Sequence, residues 1–486
     1  MSSIDEIRDA RLNKLKLLKE SGVNPYPAES KRELSLKEAI DTFEDLEKKG
    51  DEKWIAGRIM SLRGQGAIIF VTLYDGTGSF QGLLKKDSLS EDKFKLWNDT
   101  VDIGDFVELR GTFFITKRGE KTLETHDWLM LSKSLLPLPE KWHGLQDTEE
   151  RFRKRYLDIL MDPEIKALFD KKSKFWEVTR DFMKKHGFQE VETPSLEITT
   201  GGAEATPFET YNEDFKLPLY LRISIGELWQ KRLMAAGFDK TFEIGRAYRN
   251  EGSDMNHLQE FTNMEFYWAY ANYKDGMRLA EKLYKKIAEE VFGTTKFETR
   301  GYAFDLGGKW EQIDYCETIK KETGVDILNT TYDEVKNTLD NLKVVYDGST
   351  MERLIDTLWK YCRRKISGPV FLTGHPKLVS PLSKSMDKNS ELTERFQIII
   401  AGSEVGNGYS ELNDPLAQAE RFAKQQELIK AGDKEAMMPD YEFVEMLEYG
   451  MPPTCGFGFG EMLFAFLADK PIRETQFFPL MKPHRE

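Results

Sequence analysis

The segment Phe242–Tyr267, FEIGRAYRNEGSDMNHLQEFTNMEFY, constrains this chain more than any other. Arg249 and Glu251 close one alternating run, a polar loop follows, and Glu260, Phe261, Glu265 and Tyr267 fall on a second alternating run. Two such runs predict an antiparallel hairpin. It gathers a fixed cation, several acids, a flat ring and a phenol on one surface, a combination that suits a nucleotide bound beside an amino acid. Arginine's planar fork grips carboxylate or phosphate through two parallel hydrogen bonds. An aromatic ring such as Phe261 offers a face on which a base stacks. Either residue alone would be structural, and His257 reads as an ordinary loop residue.

Two glycine-marked segments downstream carry complementary chemistry. In GFGFG, residues 456–460, strand alternation turns Gly456, Gly458 and Gly460 to one face and Phe457 and Phe459 to the other. The bare face lets a ligand lie against the backbone while the rings enter a core. The spacing is neither that of a dinucleotide fingerprint nor that of a phosphate-binding loop. In EVGNGYSEL, residues 404–412, alternation puts Asn407, Tyr409 and Glu411 on one face, with Glu404 close by. Acids bracketed by glycines and flanked by FQIIIAG predict a cation site, for a metal or an ammonium group. The pair Gly201-Gly202 in ITTGGAEATPF by itself reads as a mobile turn.

At 486 residues the chain exceeds the size of one hydrophobic core, so two or three domains are expected. A net charge of −13 argues against a coater of DNA but leaves room for a local basic patch that binds RNA. Three scattered cysteines without a CxxC pair predict neither a disulfide framework nor a thiolate zinc site, and they fit a reducing, cytoplasmic setting. No apolar run has the length of a membrane span, and the first residues are too charged for a secretory signal.

Residues 1–50 read as a helical segment, with leucines 12, 15 and 18 at helical spacing. Residues 51–135 read as short, bent strands with glycine corners, a pattern that predicts a small closed barrel of the OB type. A proline-bearing linker covers 136–152. Residues 153–486 mix helices and strands without a regular βαβ repeat, and a charged helical insertion lies around 312–366. The class expected is α+β, with a mainly antiparallel sheet. Lys171–His186 predicts an amphipathic helix, and FQEVET predicts a strand ending at Pro194.

Together these segments resemble the class II aminoacyl-tRNA synthetases, and most closely the lysyl-tRNA synthetases among them, over nearly the whole chain. GFQEVETPSL resembles motif 1, the segment Phe242 to Asp275 motif 2, and PPTCGFGFGEMLFAFL with PIRETQFFPL motif 3. YLRISIGELWQKRL, GPVFLTGHPKLVSPLSK and GNGYSELNDPLAQAERF are similar to lysine-specific members. The resemblance implies ATP-dependent attachment of lysine to tRNA(Lys) through a lysyl-adenylate, with Mg²⁺, in a homodimer, without membrane or DNA partners. It implies a catalytic domain on an antiparallel sheet flanked by helices, with the barrel as anticodon-binding domain. Arg249 would bridge the lysine carboxylate and the ATP α-phosphate. Glu251 and His257 would sit near the adenine, Phe261 would stack on it, and Gly458, Gly460 and Met462 would complete the ATP site. Glu227 and the Gly201 backbone would hold the α-ammonium, and Asn407 the carboxylate. Glu411 and Tyr267, with Glu265 and Tyr409 nearby, would take the ε-ammonium. Glu404 would ligate Mg²⁺, with Gln397 as a neighbouring oxygen. Arg63, Phe70, Gln81 and Glu120 would read the anticodon.

Three positions depart from the family pattern. Met462 stands where the family has an arginine, Asn256 where many relatives have one, and Gln397 where a metal-binding glutamate is expected. All three remove charge around the ATP phosphates, and Arg473 or Lys470 is a candidate replacement. Two alternatives follow: a sibling synthetase for aspartate or asparagine, which would want added cations in the pocket, and a catalytically impaired paralogue that binds lysine or tRNA.

Overall fold

The computed structural model of the chain describes residues 3–139, 145–203, 205–252, 257–346, 350–430, 432 and 436–483. Asn256 lies outside them. The chain divides into two compact units, one ending at Thr148 and the other beginning at Glu149.

In the first unit, helix α1 (Ile4–Glu20) is opened by a Ser3–Glu6 capping box and buries Leu18 against the barrel core. Arg11, also on α1, is tied by its guanidinium to the backbone oxygens of Ile103, Ser134 and Leu136. The barrel consists of β1 (Lys53–Gln65), β2 (Ile68–Tyr74), β3 (Ser79–Lys85), β4 (Phe106–Ile115) and β5 (Lys121–Ser132), closed in the order β1-β2-β3-β5-β4. Inward residues such as Val71, Leu73, Leu84, Val107 and Leu109 are buried. Gly82 and Gly111 let strands approach: a Cβ at Gly111 would lie 1.7 Å from the Glu124 carbonyl oxygen.

In the second unit, helix α2 (Pro163–Lys185) begins eight residues before the predicted start. Asp162 caps it by accepting from the Glu164 N–H, and Pro163 occupies the first turn, where its missing N–H costs nothing. FQEVET contributes only a two-residue strand, β6 (Gln189–Glu190). The chain then leaves the sheet because Thr193 gives its N–H and hydroxyl to the Glu243 carboxylate.

The remaining elements are α3 (Glu227–Ala235), β7 (Lys240–Tyr248), β8 (Glu260–Ala269), α4 (Tyr273–Ile287), β9 (Glu311–Asp314), α5 (Tyr315–Thr323), α6 (Tyr332–Asn341), α7 (Met351–Arg363), β10 (Val370–Pro376), β11 (Asn389–Ile400), β12 (Ser403–Ser410) and β13 (Thr454–Gly460). The sheet runs β9-β10-β11-β12-β13-β8-β7-β6, and a short strand, Ser385–Met386, pairs with β11. It is antiparallel except at its two outer pairs, β9 with β10 and β7 with β6.

One face of the sheet carries Phe266, Phe396, Phe457 and Phe459, packed on Phe175 and Phe182 of α2 and on Leu283, Tyr284 and Ile287 of α4. Helices α5, α6 and α7 form a second core with Ile319, Val335, Leu339, Leu358 and Ile399. These helices pack as one unit on the β9–β10 edge of the sheet. Among the described residues no helix is long and apolar enough to cross a membrane.

Candidate active site

Opposite the aromatic core, the sheet floors a cavity of about 660 Å³. Strand register builds the floor rung by rung. Gly458 of β13 lies between Asn407 of β12 and Glu265 of β8, and Gly456 lies between Tyr409 and Tyr267. A Cβ at Gly456 would meet Glu411 Oε1 at 2.1 Å and Tyr267 Cε1 at 2.7 Å. At Gly458 it would meet Glu265 Cγ at 2.8 Å, and at Gly460 Asn263 Oδ1 at 2.3 Å. The glycines are thus required by the acids and the phenol that lean over them from both sides, while Phe457 and Phe459 are buried in the core.

One end of the cavity is anionic. Glu227, Glu265 and Glu411 are 5%, 9% and 1% exposed. Burial in a low-dielectric site penalises their charge. It pushes Glu411 well above the ordinary carboxylate range, and burial together with the nearby Glu227 raises Glu265 to about 7. Glu265 accepts from the Ile225 N–H at 2.8 Å and from the Tyr267 hydroxyl at 3.2 Å.

Lys231, which the sequence reading passed over, is the internal cation that balances this end. It is 1% exposed, and its Nζ lies 2.7 Å from Glu227 Oε1 and 2.5 Å from Glu411 Oε2. Burial pulls its pKa down, but the two carboxylates outweigh burial and leave it raised. The available signal was its place one helical turn after Glu227. Tyr409 donates its hydroxyl to Glu227 Oε1. Glu411 Oε1 has no hydrogen-bond partner among the described residues.

In the middle of the cavity, the Arg249 guanidinium sits 5.2 Å from the centroid of the Phe261 ring, and its Nε donates to the Ile223 carbonyl. Glu251, His257 and Met462 line the cavity near Phe261, and Met462 packs with Phe261 against Leu258, Ala465 and Ile472. Beyond them Gln397 donates its Nε2 to Glu404 Oε2 at 2.7 Å, and the buried His375 ring interacts with the same Gln397 amide. Simple alternation would turn Glu404 away from Asn407. A register irregularity beside Ile398 and Ile399 brings it onto the cavity face. Arg395, also unforeseen, donates to Asn407 Oδ1 at 2.9 Å and so orients that amide.

Two placements differ from expectation. Gly202, not Gly201, lines the cavity: its φ of +86° and a hypothetical Cβ 2.7 Å from Glu227 Oε2 both demand glycine. Gly201 instead accepts from the Ser224 hydroxyl through its carbonyl. Arg473 does not reach the cavity. Its guanidinium lies 4.9 Å from the Phe152 ring centroid and donates to Met481 Sδ.

On the barrel, Arg63 pairs with Phe70 across β1 and β2, and Gln81 sits between Thr72 and Thr122. Phe70 and Gln81 are half-buried on the outer surface, and Arg63 and Glu120 are exposed. The Gln81 amide donates to the Thr122 hydroxyl at 2.8 Å.

Residues 147–482 match the family model described as tRNA synthetases class II (D, K and N), and residues 53–131 match that of the OB-fold nucleic acid binding domain. The chain belongs to the class II tRNA synthetases. Within that family its relatives include the lysine--tRNA ligases of Thermotoga maritima (40% identical over 99% of this chain and 97% of that protein), Pelotomaculum thermopropionicum (40%, 99% and 96%) and Roseiflexus sp. strain RS-1 (40%, 99% and 99%).

Proposed function

We propose that this synthetase condenses lysine with ATP to lysyl-adenylate and transfers the lysyl group to tRNA(Lys) in the cytoplasm. The observation that carries the reading is the anionic end of the cavity. Three carboxylates are buried there, only two of them, Glu227 and Glu411, are paired with the internal cation Lys231, and Glu411 Oε1 has no hydrogen-bond partner among the described residues. A buried ammonium needs anionic and hydroxyl partners. Glu411, Tyr267 and Glu265 supply them for the ε-ammonium, and Glu227 with the Gly202 turn supplies them for the α-ammonium. An acidic side chain would meet repulsion here, which disfavours the aspartate reading, and a neutral isostere would leave buried carboxylates unpaired.

Asn407, oriented by Arg395, and Arg249 hold the substrate carboxylate. That carboxylate is itself the nucleophile: it attacks the α-phosphorus of ATP, a C–O–P bond forms, and pyrophosphate departs. No protein base is required, so the chain contributes positioning and charge. Phe261 and Met462 bracket the adenine. Glu404 and the Gln397 amide oxygen, both on the cavity wall, are the hard oxygen donors that would hold Mg²⁺. When bound, that ion neutralises phosphate charge. The outer barrel surface around Phe70, Gln81, Arg63 and Glu120 reads unstacked anticodon bases by stacking and edge hydrogen bonds. Exposed Leu196, Ile198, Tyr211 and Phe215, on and beside the small sheet formed by Leu196–Glu197, Glu209–Asn212 and Leu217–Leu221, support a homodimer through that face.

Charging of a tRNA(Lys) transcript with labelled lysine tests the reading. Charging that falls when an anticodon uracil is replaced, and that falls again in Phe70→Ala, is expected. Equal charging of a transcript with an unrelated anticodon would contradict the role of the barrel.

A further inference from the structure

The helical insertion contributes more than a cover. One stripe of α7, running through Glu352, Asp356, Trp359, Lys360 and Arg363 at spacings of three and four, lines the cavity wall. Its opposite stripe, with Leu354, Ile355, Leu358 and Cys362, is buried in the insertion core. Most charges on the cavity stripe are already engaged. Lys360 pairs with Asp356 at 2.7 Å, and Glu352 lies 3.8 Å from Lys424. Arg363 differs: it is half-buried, and among the described residues its guanidinium has no ion pair, hydrogen bond or ring contact. Two further cations, in or beside the cavity wall, are committed elsewhere. Arg395 is held by Asn407 and the Val379 carbonyl, and Lys231 by its two glutamates.

Arg363 also stands at the right end of the cavity. Glu404 near the start of β12 and Glu411 just past its end are separated by up to about 23 Å at strand rise, so the Glu404 end is remote from the ammonium pocket. Arg363 lines the cavity together with Glu404, Gln397 and Arg249. The chain leaving α7 meets the start of β12 at this end: the Gly402 N–H donates to the Ile366 carbonyl at 2.8 Å, and a Cβ at Gly402 would lie 3.2 Å from Arg364 Cα. This is also the end left short of charge by Met462 and Gln397.

We propose that Arg363 binds the β- and γ-phosphates of ATP, so that the insertion supplies the phosphate-side cation that the motif 3 strand and helix lack. The inference rests on the ATP-dependent reading given above. A guanidinium at a helix C-terminus also offsets the helix dipole, and a purely structural role would lower thermal stability while leaving ATP affinity unchanged.

The test uses the full chain with Arg363→Ala, Arg363→Lys and, as control, Arg364→Ala at the neighbouring exposed arginine. Two quantities are read: KM for ATP and for lysine in ATP–pyrophosphate exchange, and calorimetric binding of a non-hydrolysable ATP analogue against AMP. Loss of a charged phosphate contact is expected to raise KM for ATP about tenfold or more in Arg363→Ala, less in Arg363→Lys, with lysine KM and AMP binding unchanged. Parental affinity of Arg363→Ala for the ATP analogue would overturn the proposal. A parent chain without lysine-dependent exchange would count against the proposed function, and analogue against AMP binding would still decide the role of Arg363. Should the alanine variant fail to fold, Arg363→Lys and Arg363→Gln carry the same comparison.

Discussion

Replacing Glu411 by glutamine keeps the shape of the pocket and removes one charge. Glu411 is 1% exposed, and its Oε1 is the unpartnered oxygen nearest the glycine floor. An ammonium about 3 Å from a carboxylate at an effective dielectric of about 20 gains roughly 5 kcal/mol. Dehydration of the ammonium returns part of this, so the net loss expected in Glu411→Gln is about 2–4 kcal/mol. That corresponds to a rise in lysine KM of about 30- to 1,000-fold. The fold should survive, because Lys231 keeps Glu227 at 2.7 Å. KM for ATP should stay within about twofold, since the proposed phosphate end, at Glu404, is separated from Glu411 by the length of β12. Lysine-dependent ATP–pyrophosphate exchange at varied lysine, with far-UV circular dichroism as the folding control, measures all three. A lysine KM within about threefold of the parent would refute the assignment of Glu411 to the ε-ammonium.

Other outcomes follow from the same geometry. Lys231→Met leaves Glu227 and Glu411 buried without their cation and should cost about 3–5 kcal/mol of stability by denaturant unfolding at pH 8. Because protonation relieves the two carboxylates, the deficit should shrink as pH falls, and a pH-independent deficit would contradict the pairing. Gly456→Ala drives a methyl into Glu411 and Tyr267 and should abolish exchange in folded protein; retained lysine activation would show that the floor is not the binding surface. Glu265, raised to about 7 by burial and by Glu227, attracts an ammonium only when ionised. Lysine KM should therefore fall as pH rises through about 7, while the unliganded fold loses stability over the same rise, and a flat KM between pH 6 and pH 8 would remove Glu265 from the pocket. Met462→Arg restores a cation beside Phe261 and should lower KM for ATP, whereas an unchanged or higher KM would mean that the site is adapted to methionine.

The floor of the site was legible because strand periodicity is exact in register. Asn407, Tyr409 and Glu411 share a face, and Gly456, Gly458 and Gly460 share another strand's face, whatever the rest of the chain does. The barrel was legible from short strands and glycine corners, and the α+β class from mixed elements without a βαβ repeat. What escaped the sequence depended on neighbours distant in the chain. Lys231 reads as a surface helical pair with Glu227 until Glu411, 180 residues later, is folded against it. Glu404 reaches the cavity only through a register irregularity, which alternation cannot anticipate. The charged stripe of α7 looks like a solvated face unless the cavity is seen beneath it. Arg473, close in sequence to Met462, turns to Phe152 instead of the cavity.

The central claim is that three buried carboxylates and one internal lysine make a pocket for a cationic amino acid. The most direct measurement is amino-acid-dependent ATP–pyrophosphate exchange with lysine, aspartate and asparagine tested separately in Mg²⁺-containing buffer. The account predicts exchange with lysine alone. Exchange with aspartate or asparagine, or none with lysine in protein shown to be folded, would contradict it.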